Sequence, residues 1–588
     1  MSSDVGAPAA SPFFVIDSEH LADVQSRLYG FAFQAGDSAE PWAITGDALP
    51  DANGAWVLVR RRSDGIEIRQ DFVGSFGLYL YRDDAFFALS NSFVMLVDHV
   101  KRRRRLSLNL DVARTLIGSD VGLDYSETLA REIVLLDRSA VVSITMPEGR
   151  LTLGSVDYGE NTVDLDSPEA MDLLDGWYGR WTRRIGNLVR RGEPLIAALS
   201  GGFDTRAVLV TLLGAGIDLD EILIHSMVGE HHTFKEDYAI ASQISRHYGF
   251  SLNNRKALKD PSEICSVEGI LDGSYLAKMG SNKQMYFKRF RRRRPRFALS
   301  GNGGECIRGY PENDARRYLQ TVVHRSRSLP PQEKSDVVES ITALFHRELE
   351  RVSAKMERRG PPPSPRDLVT HFYRETRCRS HYGKTAAEGV SSGQLFCCPL
   401  LDPELHRLAT RSATCEDDRL LVAVLLTRYQ SGLAAFPFEG GRSIAPATLD
   451  AAHAINARYP RPDRSPEVSI RSPPPAPATA PPRRGRRSDR GVPQAAIDAM
   501  VLEAFEAPAL RDLVEPVLGR GVFDHIAADV KTRAFFPLEG AHALLAIGLV
   551  ASAVRRPDDD PARSPATFIA GLVAGSRGER PPSHVSDG

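Results

Sequence analysis

One stretch, residues 195–217, constrains the fold of this chain more than any other. It starts with an apolar run of strand length, Leu195 to Leu199, which passes directly into Ser-Gly-Gly at 200–202. Residues 204–206 then open a run, Ala207 to Leu213, whose apolar spacing is typical of a helix, with glycines as stop signals. The pattern predicts a β-strand, a glycine-rich turn and an α-helix in direct succession.

This succession is typical of a phosphate-binding turn. Glycines let the backbone approach an anion closely, and the free N–H groups of the first helical turn point at it. A carboxylate at Asp204 would repel phosphate unless it held a magnesium ion that the phosphates share. The residues therefore favour a phosphate and magnesium site, and the alternative for so short a motif is an ordinary surface turn.

The sequence LSGGFDTR at 199–206 resembles the SGGxDS signature of the PP-loop ATP pyrophosphatases, in the version carried by the asparagine synthetase family. In that family the loop binds the pyrophosphate of ATP while the α-phosphate is attacked. Thr205 stands where the family usually has serine, so the hydroxyl is kept. The resemblance implies ATP-binding residues at Leu199, Ser200, Gly201, Gly202, Asp204, Thr205, Met227, Ser300 and Gly301.

A second glycine-rich turn follows another strand candidate at 297–300. The sequence SGNGGECIRGY at 300–310 resembles the family's SGxGxDExxGGY, and its serine and first two glycines match. Glu305 falls where the family has its second magnesium-binding aspartate. The resemblance therefore implies that Asp204 and Glu305 are metal ligands and catalytic residues. The sequence departs from the family at Asn302 and Cys306, and one glycine is missing before Tyr310.

Two further positions bear on the chemistry. The segment CPLLDPEL resembles the family's PFLDxxL, but Leu395 and Cys397 replace the glutamate and arginine that precede it. Because those polar residues often help to bind substrate, their loss argues against asparagine as the product. Arg442 lies near the position of the family's catalytic lysine and is expected to stabilise charge on a transferring phosphoryl group. An exposed loop arginine is the alternative.

Residues 13–157 read as short strands punctuated by Asp, Gly and Asn, which predicts two packed sheets. The segment 71–92 resembles the amidotransferase half of asparagine synthetases. Such a glutaminase uses an N-terminal cysteine, whereas here Ser2 follows Met1 and the first cysteine is Cys265. We expect a glutaminase-like fold without glutaminase chemistry, the alternative being an unrelated β-domain.

The fold class expected is α/β plus α+β. An N-terminal Ntn-hydrolase-like β-rich sandwich (13–157) precedes a parallel-sheet PP-loop domain of the adenine nucleotide alpha hydrolase type (167–458). Helices at 494–556 are expected to complete that domain. A Pro/Arg-rich insertion at 459–493 is expected to be disordered, since it cannot bury enough apolar surface. Residues 1–12 are expected to be disordered and residues 557–588 to form a loose tail.

Composition argues against several classes of partner. The formal net charge is −1, so no bulk charge indicates nucleic acid or a membrane surface. The basic clusters at 101–105 and 288–294 are interpreted as solvated helix ends or loops. No apolar run has the length of a membrane span. Six cysteines without paired CxxC spacing indicate a reducing compartment, so we expect a cytoplasmic protein without structural zinc.

The resemblance implies a ligase that uses Mg²⁺ and ATP to adenylate a carboxylate, releases pyrophosphate and forms an amide. Without a glutaminase, the amine must come from solution or from the substrate. This suits a small-molecule or peptide carboxylate, as in β-lactam synthetases or lasso-peptide cyclases, in metabolite, peptide or polysaccharide biosynthesis. The alternatives are an ammonia-dependent asparagine synthetase and a catalytically degenerate protein that binds nucleotide or a partner.

Overall fold

The computed structural model describes residues 12–34, 50–118, 125–229, 232–254, 262–263, 275–277, 291–292, 295–309, 314–324, 329, 331–358, 362–461, 494–532, 539–555 and 565–576. The chain is a mixed α/β protein with antiparallel sheets and one parallel sheet of four strands. This confirms the predicted fold class in its coarse form. The insertion predicted to be disordered lies almost wholly outside the described residues, as do Cys265, Tyr310 and most of the second basic cluster.

The N-terminal half contains two antiparallel sheets. The first has the order β1-β6-β5-β7 and the second the order β2-β3-β4-β8-β9. The strands are β1 (Val15–Asp17), β2 (Arg27–Gln34), β3 (Pro50–Arg61), β4 (Gly65–Gln70), β5 (Tyr79–Arg82), β6 (Phe87–Ser90), β7 (Ile133–Leu135), β8 (Ala140–Thr145) and β9 (Leu151–Ser155).

Alternating burial explains how these sheets pack. In β4 and β8, every second side chain is buried, which is the pattern of strands with one covered face. Leu80 and Leu89 of the first sheet share one core with Ile68 and Val142 of the second. The two-sheet arrangement and the β8–β9 hairpin follow the prediction.

Two helices and one strand in this half were not predicted. The helices Phe93–Lys101 and Leu110–Gly118 and the strand β7 complete the unit. The basic cluster at 101–105 lies at the end of the first helix. Its charges are paired locally: Lys101 and Arg102 contact Asp98, and Arg103 contacts Glu19. That agrees with its interpretation as a helix end.

The helix Pro168–Arg190 leads into the parallel sheet. Its N-cap is Ser167, whose hydroxyl accepts a hydrogen bond from Ala170 N at 3.1 Å, as the Ser-Pro pair predicted. The sheet has the order β11-β10-β14-β15, with β10 (Leu195–Ala198), β11 (Leu223–His225), β14 (Arg296–Leu299) and β15 (Gln394–Cys397). Helices Phe203–Gly214 and His232–Tyr248 follow β10 and β11. A short pair, β12 (Ser262–Glu263) and β13 (Arg291–Arg292), lies between β11 and β14 in the chain.

The other α-helices are Gly304–Ile307, Ala315–His324, Pro331–Glu357, Pro365–Glu375, Lys384–Ser392, Pro403–Arg407, Leu420–Tyr429, Pro446–Arg458, Gln494–Glu506, Pro508–Leu518, Arg520–Thr532, Glu539–Arg555 and Pro565–Ser576. Short 3₁₀ turns are Leu21–Asp23, Leu219–Glu221, Pro399–Leu401, Ser431–Ala435 and Glu439–Gly441, and Arg379–Gly383 forms a π turn. In the part of the chain that is described, no helix combines the length and apolarity needed to cross a bilayer.

The C-terminal helices pack away from the parallel sheet. Leu544 and Ile547 share a second core with the helix Phe93–Lys101 and with Pro331–Glu357. Within the tail expected to be loose, the structure instead forms the helix Pro565–Ser576, which buries Ile569 and Leu572 in this core. Charged and proline-rich residues flank this short apolar run, so its sequence context does not indicate a helix.

Buried charges join the two halves. Arg138, between β7 and β8, donates to Glu160 and, at 3.2 Å, to Glu375. Lys355 donates to the same Glu375 at 2.9 Å, and Arg374 lies 3.5 Å from Glu160. All five side chains are nearly fully buried. Burial opposes the charge of Glu160, but Arg138 and the other partners outweigh it and hold its pKa well below the usual range.

We expect Glu160→Gln to lower the free energy of unfolding by roughly 3 to 5 kcal/mol, because it removes the charge that two buried arginines, Arg138 and Arg374, share. The matched control is Glu169→Gln. Glu169 also pairs with an arginine, Arg407, at 2.7 Å, but its side chain is 60% exposed, so the expected loss is about 0 to 1 kcal/mol. Urea unfolding followed by circular dichroism measures both, and equal losses would contradict the role given to the network.

Candidate functional site

The candidate site lies where the strand order of the parallel sheet reverses. From β10 the chain crosses to β11 on one side, and it later returns to β14 on the other side of β10. Ligands of open parallel sheets bind in the crevice at the carboxyl ends of the strands beside such a reversal. The register pairs Ala197 with Leu299, so the turns that follow β10 and β14 begin at the same level.

The first turn is held by its own side chains. Thr205 Oγ1 accepts a hydrogen bond from Ser200 N at 3.1 Å, and Ser200 Oγ accepts one from Gly202 N at 3.1 Å. Gly202 is the N-cap of the helix Phe203–Gly214 and, having no side chain, leaves the first helical turn uncapped. These bonds hold the shape of the turn and satisfy the N–H groups of Ser200 and Gly202.

The third backbone N–H of the Ser-Gly-Gly turn binds a carboxylate. Gly201 N donates to Asp237 Oδ1 at 2.8 Å, from the helix that follows β11. Glu439 packs beside the same turn, and its own N–H donates to Gly201 O at 3.2 Å. The Gly201 N–H therefore binds a carboxylate oxygen in this structure, while phosphate binding by the turn stays a prediction.

The second turn, 300–304, packs directly against Asp204. A Cβ atom on Gly304 would lie 2.0 Å from Asp204 Cγ, and one on Gly301 would lie 2.9 Å from Asp204 Cβ. Gly303 has a φ of 90° and packs on Leu401, so it too needs glycine. The glycines of the second turn are therefore needed for the close approach of the first turn's carboxylate.

An arginine that the sequence analysis did not single out binds that carboxylate. Arg308 Nε donates to Asp204 Oδ1 at 2.8 Å, and Nη2 donates to Oδ2 at 3.3 Å. The same Nη2 lies 3.6 Å from Glu305 Oε1. Burial works against the charged guanidinium, but the two carboxylates outweigh it and raise the pKa of Arg308. One guanidinium thus contacts both predicted metal ligands.

Glu305 is held from its other side by Tyr382. The tyrosine hydroxyl donates to Glu305 Oε2 at 2.9 Å. Burial and the neighbouring charge of Asp204 raise the pKa of Glu305. The structure therefore brings together Asp204 and Glu305, as predicted, from turns that are about a hundred residues apart in the chain.

The arrangement does not fit the predicted magnesium ion as it stands. Carboxylate oxygens are suitable ligands for Mg²⁺, but both oxygens of Asp204 bind Arg308. Within the described ranges, three potential metal-ligating side chains cluster only at Asp17, Glu19 and His20, and Asp17 there binds the backbone of the other two. The position between the two site carboxylates already holds a cation, and that cation is Arg308.

A second arginine lies beneath the first turn. Arg206 is fully buried and donates to Gly201 O at 3.1 Å, to Phe436 O at 2.9 Å and to Pro437 O. Its guanidinium carbon lies 3.7 Å from the centre of the Phe438 ring. Burial lowers the pKa of Arg206 to about 10, so it stays charged at neutral pH. It ties the first turn to the segment 431–438.

The remaining predicted residues lie around this centre. Arg442 pairs with Glu439, and its guanidinium carbon lies 5.7 Å from the Phe203 ring at the start of the helix. Leu199 is buried, whereas Met227 is 52% exposed at the end of β11. Ser300 Oγ accepts a hydrogen bond from Asn302 N at 3.2 Å. Leu395 and Cys397 are both buried on β15.

Sequence reasoning missed Arg308, Asp237, Glu439 and Tyr382. Arg308 carried a usable signal, because it lies three residues after Glu305 and therefore on the same side of a helical turn. The other three come from elements that only tertiary packing brings to the crevice, so no spacing in the sequence pointed to them.

We expect Gly304→Ala to destabilise the protein by roughly 1 to 3 kcal/mol, because the added methyl group must displace the Asp204 carboxylate. Gly176→Ala is the control: this glycine is exposed in the helix Pro168–Arg190, its nearest neighbour is 3.8 Å away, and alanine there is expected to stabilise by about 0.5 to 1 kcal/mol. Thermal unfolding of both variants measures the difference. A neutral Gly304→Ala would show that the two turns do not meet as described.

Neither a scan against protein-family models nor a search of curated proteins finds a match for this chain. The function must therefore be inferred from the chemistry of the crevice.

Proposed function

We propose that the chain is an ATP-dependent ligase that adenylates a carboxylate, releases pyrophosphate and passes the acyl group to an amine. The observation that carries this proposal is the meeting of two glycine-rich turns, each with one carboxylate, at the strand-order reversal of a parallel sheet. On this proposal the parallel sheet is a PP-loop domain and the N-terminal half a glutaminase-like fold, as in the asparagine synthetase family.

Backbone donors of the first turn would bind the pyrophosphate part of ATP. A phosphate oxygen would take the place of Asp237 on Gly201 N, and the uncapped first turn of the helix Phe203–Gly214 would supply further donors. Arg206, charged and buried under the turn, adds a fixed positive charge without blocking the crevice. Such donors stabilise charge that develops on the departing pyrophosphate.

The end of β11 suits the base of the nucleotide. Met227 and Val228 are 52% and 49% exposed, although both are large apolar residues. They follow β11, which pairs directly with β10, so they lie beside the first turn. An adenine ring could cover this apolar surface while the phosphates reach the turn.

In the proposed chemistry, Arg442 acts where the substrate carboxylate attacks the α-phosphate. Its guanidinium lies beside Phe203, the first residue after the turn, and would face charge on the α-phosphate. In this proposal the two carboxylates that were expected to hold magnesium bind Arg308 instead. With apolar Leu395 and Cys397 on β15, a small-molecule or peptide carboxylate other than aspartate fits better as the substrate.

A non-catalytic nucleotide-binding protein is the second candidate. One observation favours it: both oxygens of Asp204 are engaged by Arg308 rather than open to a ligand. The two candidates differ in whether ATP is cleaved between its α- and β-phosphates, so one assay separates them.

We expect the wild-type protein to exchange labelled pyrophosphate into ATP when a panel of amino acids and peptides supplies the right carboxylate. Asp204→Asn and Glu305→Gln should each reduce the exchange about a hundredfold to a thousandfold, because each removes a charge that orients the crevice. Circular dichroism establishes that the variants remain folded.

The exposed and distant Glu169→Gln serves as the control and should exchange at the wild-type rate. Binding of ATP without exchange on any carboxylate would support the non-catalytic candidate. Wild-type rates in both crevice variants would refute the adenylation proposal.

A further inference from the structure

Arg308 holds a position that nothing in the expected chemistry assigns to a protein side chain. It follows the short helix Gly304–Ile307 and its N–H donates to Gly304 O at 3.1 Å, so the second turn itself fixes its backbone. Glu305 lies three residues earlier, and the ion pair between the two spans one helical turn. The side chain therefore extends from the second turn towards the first.

The contacts of Arg308 are those of a cation shared by two carboxylates. Two parallel hydrogen bonds, at 2.8 and 3.3 Å, reach both oxygens of Asp204, which is the fork geometry that makes arginine pairs strong and directional. The contact to Glu305 is a longer ion pair of 3.6 Å. Asp204 and Glu305 follow different strands, so this one guanidinium joins the ends of β10 and β14.

The guanidinium also retains donors for a ligand. Its contacts use Nε and Nη2, and in the described parts of the chain Nη1 has no partner. The three side chains are between 17% and 23% exposed, so the group is reachable from the crevice. Guanidinium N–H groups bind phosphate oxygens as well as carboxylates.

We propose that Arg308 is a built-in cation of this site: it occupies the place of a divalent ion between Asp204 and Glu305, and it binds the polyphosphate of the nucleotide through its remaining donors. The proposal rests on the proposed function for the identity of the ligand. It further implies that ATP binds without a metal held by the two carboxylates.

The first test is manganese binding to the nucleotide-free protein, followed by the electron paramagnetic resonance signal of free Mn²⁺. The wild type should show no tight site that depends on Asp204. Arg308→Ala should gain a site at least tenfold tighter, because two carboxylates lose their cation, and the double variant Arg308→Ala with Asp204→Asn should lose it again. Arg442→Ala removes a neighbouring positive charge but leaves the Asp204 pair intact, so it should gain nothing.

The second test is ATP binding by isothermal titration calorimetry in excess EDTA and in excess Mg²⁺. The wild type should bind in both, whereas Arg308→Ala should lose at least tenfold in affinity in EDTA and recover most of it with Mg²⁺. Arg308→Gln, which keeps hydrogen-bonding capacity without charge, repeats both tests should the alanine variant unfold.

The outcomes separate the two proposals. An Asp204-dependent manganese site in the wild type, or no gained site in either Arg308 variant, overturns the built-in cation. Equal ATP affinity of wild type and variants in EDTA overturns it as well, while the proposed function stands. A wild type that binds no ATP under either condition refutes the proposed function and, with it, the nucleotide role given to Arg308.

Discussion

The parallel pairing of β10 with β14 is the constraint on which the site depends. The two strands are about a hundred residues apart in sequence, and they align so that Ala197 lies opposite Leu299. The segments that follow them therefore leave the sheet at the same level. A slip of one residue would turn every side chain of one strand to the opposite face. The contact of Asp204 with the Gly301–Gly304 backbone, and its bonds to Arg308, exist only in this register.

Charges of both signs surround the crevice, and in the free protein they satisfy one another. Asp237 binds the Gly201 N–H, Arg308 binds Asp204, and Arg442 binds Glu439. A bound polyanion must exchange partners with these groups rather than meet bare charges, so its affinity is the difference between two sets of polar contacts. Arg206 bonds to backbone carbonyls, including Gly201 O and Leu433 O, and an anion has no reason to displace such acceptors, so the exchange need not disturb the support of the first turn.

The sequence predicted those features of the fold that depend on interactions between residues close together in the chain. The succession of strand, turn and helix at 195–214, the Ser167 cap and the alternating strands followed from spacing and glycine placement. The packing of the C-terminal helices on the N-terminal half did not, because their apolar faces fit any large core. Residues of the site were predicted where a motif carried them, as for Asp204 and Glu305. Asp237 and Tyr382 were missed because only long-range packing brings them there.

The motif at 398–405 shows a different limit of the sequence. Its Asp402 accepts hydrogen bonds from Arg180, Trp181 and Asn53, and this structural role could not be predicted from the motif.

The buried charges between the halves also reach the candidate site. Arg374, which lies 3.5 Å from Glu160, donates through its other terminal nitrogen to Cys306 O at 3.0 Å. Cys306 belongs to the same short helix as Glu305, and Arg308 follows that helix directly. A helix of four residues has too few internal hydrogen bonds to hold its own position. The interface network therefore supplies what the helix lacks. Through Arg138 and this network, the N-terminal half contributes to fixing the backbone from which Glu305 and Arg308 extend.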